Sequence, residues 1–548
     1  MTSYTNPIYA YRRSPDQDRD VSHHPVIIVG AGPVGLAAAI DLAQRDIAVL
    51  VLDEDQTVSV GSRAICWAKR TLEIFDRLGC GEPVVRKGVG WNVGKVFHRN
   101  DLVFQFDLLP EHGHRRPAFV NLQQYYVEEY LVDRVSVLPA AEIRWMNKVV
   151  GVTPQAGGVL LRIDTPEGDY ALTCEWLIVA DGARSPVRTM LGLEAEGQVF
   201  HDRFLITDIR MKSDFPPERR FWFDPPFHPN QSALLHRQAD DVWRVDFQLG
   251  WDADPEEEKK PARILPRLRA MLGAEANFEI EWASVYTFQC RRMPLFRHGR
   301  VFFTGDAAHL LSPFGARGAN SGIQDADNLV WKLKLVMDGT APDRLLDTYD
   351  IERTAAADEN IRNSTRSTDF ITPKSAVSRT FRDAVLALAK HHAFARRLVN
   401  SGRLSVPTVL AESPLNTPDQ DRFAGSIVPG APAADAPVSG PGSKWFIDYL
   451  HGVFTLVAFG DAVPAAAAAT LFQDDIRCRV VHVRAGSSGS EADSQVVIAD
   501  SAGLLAKRYD GRPGTCYLFR PDQHVCARWR AFDLAAVRAA IARATGNA

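Results

Sequence analysis

Residues 25–53 read PVIIVGAGPVGLAAAIDLAQRDIAVLVLD. Val26 to Val29 is a short β-branched run, the composition of a buried parallel strand. Gly30-Ala-Gly32-Pro-Val-Gly35 follows. The first glycine permits a sharp turn, the second lets backbone approach a pyrophosphate, and the third lets a helix pack on the strand. An alanine-rich helix from Leu36 to Arg45 offers its unpaired N–H groups and positive dipole end to a phosphate. A second strand, Ala48 to Leu52, stops at Asp53, about twenty residues past the glycines, where a carboxylate binds ribose hydroxyls. Glycines also crowd ordinary turns. Strand, helix, second strand and terminal acid together predict a dinucleotide site.

The chain has 548 residues, enough for two to four domains with cores. Charged residues make up 24% and hydrophobic ones 46%, as in a soluble globular protein. A net charge of −4 argues against nucleic-acid binding. No apolar run approaches the ~20 residues of a membrane span. Residues 1–24 are polar without an apolar core, so they read as a disordered lead-in and not a signal peptide. The seven cysteines are scattered without a CxxC, which fits reduced thiols in a cytoplasmic protein and no metal site.

A helix is expected over Lys69 to Leu78 with Gly79 as its C-cap, and Arg63 precedes it. From spacing alone Arg63 reads as a solvated loop residue ahead of a phosphate ligand. Residues 84–117 read as strands and loops leaving the nucleotide fold. Gln124 opens a helix, and strands are expected near 144–152 and 159–165. The apolar strand Trp176 to Ala180 stops at Asp181-Gly182-Ala-Arg184-Ser185, placing a carboxylate at a strand's carboxyl end. From Leu193 to Gln289, short strands and Pro/Asp-rich loops predict an inserted antiparallel sheet. Its aromatics Phe221, Trp222, Phe223, Trp243 and Phe247 suit an apolar ligand wall or simply a sheet core. The acidic run 254–260 reads as a solvated loop. Arg300 to Thr304 is another buried strand, ending in Gly305-Asp306. A glycine loop, Pro313 to Gly322, and a long amphipathic helix from Ile323 to Met337 follow it. Residues 401–444 are rich in Pro, Ala, Gly and Ser and read as a linker, after which an α/β pattern restarts.

Three motifs thus stand in order: Gly30 to Gly35 with Asp53; Ala180 to Ser185; and Gly305-Asp306 with Pro313 to Gly322 and Asp325-Ala-Asp-Asn-Leu-Val-Trp-Lys332. Together they resemble the group A flavoprotein aromatic hydroxylases, over most of residues 25–400. The tail around Tyr517 to Arg528 resembles the thioredoxin-like C-terminal domain of the larger members. The resemblance implies an α/β fold: a Rossmann-like FAD domain (25–83, 118–190, 291–365) with a substrate-binding sheet (84–117, 191–290). Helices and linker (366–444) and a thioredoxin-like domain without CxxC (445–548) follow.

The resemblance implies FAD. Gly30, Gly32 and Gly35 would cradle its pyrophosphate, Asp53 its ribose, Arg63 its phosphates and Asp306 its ribityl chain. Gln124 would contact the flavin, and the loop Pro313, Gly318, Asn320 would lie against the isoalloxazine. Asp181 and Arg184 would lie near the groove shared by FAD and nicotinamide, with Arg291 and Arg292 as further candidates for NAD(P)H phosphates. The implied reaction is NAD(P)H- and O2-dependent hydroxylation of a phenolic substrate through a C4a-hydroperoxyflavin. For its catalysis His236 and Arg244, on expected substrate-sheet strands, and Arg317 are the candidates, with a hydrogen-bonded sheet residue or surface arginine as the plainer alternative. Ala316-Arg317 departs from the family's Gly-Gln at this loop, and Gly460-Asp-Ala stands where a redox thioredoxin has CxxC. The halogenase WxWxIP motif is absent. An epoxidase or Baeyer–Villiger oxygenase on a polycyclic aromatic, and a non-catalytic FAD redox sensor, are the competing readings. A homodimer is the expected assembly, with no membrane or nucleic-acid partner.

Overall fold

A computed structural model describes residues 4–61, 63–399, 404–486, 489 and 491–548. The opening stretch folds as its pattern demands. Strand Ser22–Val29, helix Pro33–Gln44 and strand Val49–Leu52 form a βαβ unit. Val26, Ile27 and Ile28 are fully buried, because the strand lies at the middle of a sheet covered on both faces. The sheet runs in the order Arg297–His298, Val301–Phe303, Tyr170–Val179, Ser22–Val29, Val49–Leu52, Ala141–Arg144. The last five are parallel; Gly158–Asp164 adds antiparallel to Tyr170–Val179, and Lys148–Gln155 pairs antiparallel with Gly158–Asp164 in turn. Parallel order brings the carboxyl ends of Ser22–Val29, Tyr170–Val179 and Val301–Phe303 side by side. All three motifs therefore meet at one sheet edge.

A second sheet of eight strands contains Glu279–Arg292, Glu196–Arg210, Val242–Leu249, Ser232–Arg237, Arg219–Phe223, Val93–His98 and Asp101–Asp107 in that order, with His309–Leu310 at its edge. Only Arg219–Phe223 beside Val93–His98 is parallel. Alternation splits its aromatics between two faces. Trp243, Phe247, Leu205 and Val245 pack under helix Pro261–Leu272 through Ile264 and Leu268. Phe221, Phe223, Phe204 and Leu234 face the other way, toward Phe288 and Phe314. The wall expected from five aromatics thus contains Phe221 and Phe223, whereas Trp222, Trp243 and Phe247 belong to the opposite face. Within 84–117, Val89–Trp91 instead pairs with Phe119–Asn121 in a separate three-stranded sheet. The acidic run is a short exposed helix, Pro255–Glu258, capped by Asp254.

The third sheet runs Glu491–Ala492, Gln495–Ala499, Cys478–Arg484, Phe454–Phe459, Cys516–Phe519, Val525–Trp529. Phe454–Phe459 is parallel to Cys478–Arg484 and antiparallel to Cys516–Phe519. It docks on helix Gly318–Met337 and on helix Asp347–Ile371 through buried ion pairs. Across the joint Glu352 accepts from Arg520, and Arg70 and Arg77 donate to the Asp522 and Pro521 carbonyls; within the first domain Glu352 also accepts from Lys332, and Asp327 from Arg70 and Arg77.

Two low-complexity expectations are corrected. Residues 4–24 are not a disordered lead-in: Tyr9 stacks on Trp145 at 4.5 Å, Asn6 donates to the Val58 and Ser59 carbonyls, and Asp16 accepts from His24 and Arg144. Scattered anchors of this kind leave no trace in composition. Residues 1–3 lie outside the described residues. The 401–444 segment, described from residue 404, is not a free linker. Ala433, Ala436 and Val438 sit in the core of the third domain, and Ser439 pairs with Ala499. Small side chains and prolines suit an extended arm laid along a sheet edge. Among the described residues no helix is long and apolar enough to cross a membrane.

Candidate functional site

The glycine turn divides into closed and open positions. Gly30 takes φ +106°, and a Cβ there would collide with the Ala180 carbonyl; one on Gly35 would collide with the Gly30 carbonyl. A Cβ on Gly32 meets nothing within 4 Å. Gly32 caps helix Pro33–Gln44 without any side-chain hydrogen bond, so the helix's first N–H groups keep their donors for a ligand. The donor set and the clearance at Gly32 fit a pyrophosphate. Asp53 accepts from the Ala31 amide at 2.5 Å and from the Asp55 amide at 2.8 Å, and burial pushes its carboxyl up to about 6. Through these two bonds it braces the glycine turn.

Arg63 is exposed, on a loop tied at two points to the second sheet. Gly61 lies so close to the Trp282 indole that a Cβ would collide with it, and the Arg63 carbonyl accepts from Arg244 at 3.1 Å. The Arg63 charge lowers the pKa of Glu128 and of Asp306, against the larger effect of burial on both. Gln124 accepts from the Ala64 amide at 2.9 Å and donates to Glu128 at 2.7 Å, so it holds the same loop from the other side. Asp306 follows Gly305 (φ +57°) and presents its carboxylate toward Gly318, at the first turn of helix Gly318–Met337. Asp181 accepts from the Val187 amide at 3.1 Å, at the start of helix Pro186–Met190, and Arg184 is exposed beside it.

The loop after Asp306 is held from both ends. Asn320, 1% exposed, accepts from the Ala68 amide and the Thr71 hydroxyl, and donates to the Cys66 and Ala316 carbonyls. Both of its oxygen and nitrogen functions are engaged by protein, so it is a staple of the loop. Ala316 sits at φ +53°, a left-handed conformation that costs a non-glycine residue about 1–2 kcal/mol. Arg317 corrects the expectation placed on it. It is 2% exposed and donates to Asn360 on helix Asp347–Ile371 at 2.8 Å, so a protein side chain already engages part of its guanidinium. Pro313 is exposed, and the neighbouring Phe314 meets Phe204 and Phe288 edge-on at 4.9 and 5.1 Å.

That contact joins the loop to the second sheet's inner face, which carries a buried polar cluster. Arg244 pairs with Asp208 at 3.0 Å, directly across the strands, and His236 is its other cross-strand neighbour. Arg244 is therefore a paired residue of the sheet. His236 is held well below the usual imidazole range, first by burial and then by Arg219 and Arg244; its Nδ1 has no partner among the described residues. Arg219 is buried with its guanidinium over the Phe221 ring, 5.5 Å from the centroid, its pKa pushed down to about 10 by burial. Asp246, two residues beyond Arg244 on the same face, has an Oδ1 without a partner among the described residues, and burial pushes it up to about 6. Cys66 faces these groups, its thiol pushed up to about 12 by burial. Asp208, Arg219 and Asp246 were not anticipated. The available signal was the alternation Trp243-Arg-Val-Asp246-Phe, a charged face within an otherwise apolar strand. Arg292 is clamped on Asp358 at 2.6 and 2.9 Å, and Arg291 donates to the Ala195 carbonyl beside a cleft lined by Ala183, Arg188 and Gln289.

The FAD binding domain family model matches residues 23–364, covering all three motifs and the second sheet. The chain belongs to the group A flavoprotein aromatic hydroxylases. It is an FAD enzyme. Among curated relatives of this flavoprotein, 3-(3-hydroxy-phenyl)propionate/3-hydroxycinnamic acid hydroxylase of Mycobacterium sp. (strain JLS) is 28% identical, covering 93% of this chain and 90% of the relative. 6-Methylpretetramide 4-monooxygenase of Streptomyces rimosus is 30% identical over 92% and 90%. In fold the hydroxylase is similar to the flavin-dependent monooxygenase PieE, solved with FAD and substrate (TM-score 0.80, 23% identity, covering 96% and 99%). It is also similar to aklavinone-11 hydroxylase solved with FAD and aklavinone (TM-score 0.76, 22% identity, covering 95% and 99%).

Proposed function

We propose that this flavoprotein uses NAD(P)H and O2 to hydroxylate a phenolic aromatic held between the Pro313–Asn320 loop and the inner face of the inserted antiparallel sheet. The observation that carries this reading is the contact of Phe314 with Phe204 and Phe288. It sets an aromatic wall and a buried polar cluster on one surface, next to the loop that follows Asp306. Ligand sites of this kind are mostly apolar with a few placed polar groups.

In this reading Gly30, Gly32 and Gly35 with the first turn of helix Pro33–Gln44 hold the pyrophosphate of FAD, and Asp53 the ribose. Arg63 faces the phosphates, Gln124 fixes Arg63's loop, Asp306 takes the ribityl hydroxyls and Gly318 lets the chain pass. Bound FAD, once reduced, supplies the electrophilic oxygen. The chain's own work is to orient and to exclude water. Phe204, Phe221, Phe288 and Phe314 bury the ring and fix its plane, while the polar cluster takes the hydroxyl. Asp181 and Arg184, with Arg188 and Arg291 beyond them, line the approach for NAD(P)H. The third domain, whose strand Phe454–Phe459 lies between Cys478–Arg484 and Cys516–Phe519, is read as a thioredoxin-like unit, and its lack of a CxxC suits a structural part.

Oxidation of NADH and of NADPH, followed with a panel of phenols, tests the proposal. One or more phenols should accelerate oxidation and emerge with an added hydroxyl. A panel in which oxidation is never stimulated, or in which only epoxide or ring-expanded products form, would reject it.

A further inference from the structure

Among the charged groups on the inner sheet face, Asp246 stands apart. Its cross-strand neighbours are Ile206 and Leu234, both apolar, so the carboxylate rises from a hydrocarbon floor. Arg244, two residues earlier, gives Nε and one Nη to Asp208 and another Nη to the Arg63 carbonyl. The Asp246 Oδ1 accepts from nothing among the described residues. A shielded carboxylate oxygen with no donor costs about 1–3 kcal/mol or more. A sheet that needed only packing would place an apolar residue here, as it does at Ile206 and Leu234 on either side.

On the reading of the site given above, we propose that Asp246 receives the substrate's phenolic hydroxyl. The site then selects a neutral hydroxylated aromatic over an aromatic carboxylate at this point of the sheet. Charge counting supports the selection. The groups facing Asp246 are Arg244 and Gln248 on its own strand, Asp208 on one neighbouring strand, His236 on the other, Arg219 from strand Arg219–Phe223, and Cys66 from strand Cys66–Ala68. Cys66 and His236 are neutral, Arg244 cancels Asp208, and Arg219 cancels Asp246. A second carboxylate would leave the cluster net negative, whereas a hydroxyl donates into the bare oxygen and leaves the balance unchanged.

The same group serves the proton. While the ring carbon forms its new C–O bond, the O–O bond that delivers this oxygen breaks and the other oxygen leaves toward water; the substrate's O–H bond breaks as well, its electron pair moves into the ring and Asp246 holds the proton. When the ring C–H is lost and aromaticity returns, the hydroxyl recovers a proton. The overall change is the one already proposed: ArH + O2 + NAD(P)H + H+ gives ArOH + NAD(P)+ + H2O.

The experiment uses the FAD-loaded enzyme, with 2-naphthol and 2-naphthoate as probes and the bound-flavin absorption spectrum as readout. Wild type should bind 2-naphthol at least about tenfold more tightly than 2-naphthoate. Its 2-naphthol affinity should rise as pH is raised from about 5 to about 8, because the acceptor ionises in that window. Asp246→Asn should weaken 2-naphthol about tenfold, tighten 2-naphthoate and flatten the pH profile, while retaining its FAD. A flat wild-type profile overturns the proposal without any variant, and so does D246N binding 2-naphthol within about twofold of wild type. Phe204→Ala separates the two readings, since it should weaken both probes alike through the aromatic wall. If neither probe perturbs the flavin of wild type, the aromatic site itself is wrong and Asp246 falls with it.

Discussion

Two buried charge clusters lie in this molecule, and they are built to opposite rules. At the junction with the third domain, Glu352 accepts from Arg520, Lys332, Asn328 and Ser413, and Arg520 also pairs with Asp522. The side chains of Glu352, Lys332, Arg520 and Asp522 are wholly inaccessible. The attraction of Arg520 and Lys332 outweighs burial and holds the Glu352 carboxyl well below its ordinary range. On the inner face of the second sheet, by contrast, Asp246 Oδ1, His236 Nδ1 and Gln238 Oε1 have no partner among the described residues, and burial raises Asp246 and lowers His236. Complete pairing fixes a joint between domains, and incomplete pairing leaves chemistry for a ligand.

The largest effect expected from breaking this contrast is at the joint. Glu352→Gln leaves Arg520 and Lys332 facing one another without their shared anion, and should destabilise the protein by about 3–5 kcal/mol in denaturant unfolding. A loss below about 1 kcal/mol would show that the joint is not held by charge. Asn320→Ala tests whether the staple behaves like the joint. Removing its engaged oxygen and nitrogen should cost about 2–3 kcal/mol and loosen the flavin, read by melting temperature and by FAD retention after gel filtration.

Asp246→Asn should act in the opposite sense on stability. The folded carboxyl titrates at about 6, above its unfolded value, so acidification favours the folded state and the ionised form weakens it at neutral pH. The variant should therefore be more stable than wild type by about 1–2 kcal/mol above pH ~6, and the difference should vanish below pH ~4. Unfolding free energies of both proteins across that range check it. Gly32→Ala should change stability least, by within about 0.5 kcal/mol, because its Cβ points into open space. Equilibrium flavin binding should nonetheless weaken about tenfold or more, because the same space is where backbone approaches a pyrophosphate.

The sequence discloses the nucleotide half far better than the substrate half, for a physical reason. From Val26 to Asp53 every signal is local: a β-branched run, glycines at fixed offsets, an alanine helix, a terminal acid. The second sheet's strands are legible from alternation, but which of their two faces meets the cofactor depends on how the sheets dock. His236 and Arg244 were visible as polar residues on strands, and Asp246 was equally visible. What singles out Asp246 is a missing partner, which is a property of three-dimensional neighbours. Arg317 misleads for the same reason, since its departure from the family pattern is answered by Asn360, forty-three residues away. Composition fails at 404–444 because alanine and proline describe an extended arm and a linker equally well.

The short loop before helix Lys69–Leu78 is tied to the second sheet twice, by Gly61 lying against Trp282 and by Arg244 donating to the Arg63 carbonyl. In mechanical terms these are tie rods between two rigid plates. Any hinge that separates the sheets must either break both ties or drag Arg63 along with the substrate sheet. Arg63 therefore takes its backbone position from the second sheet as much as from its own domain.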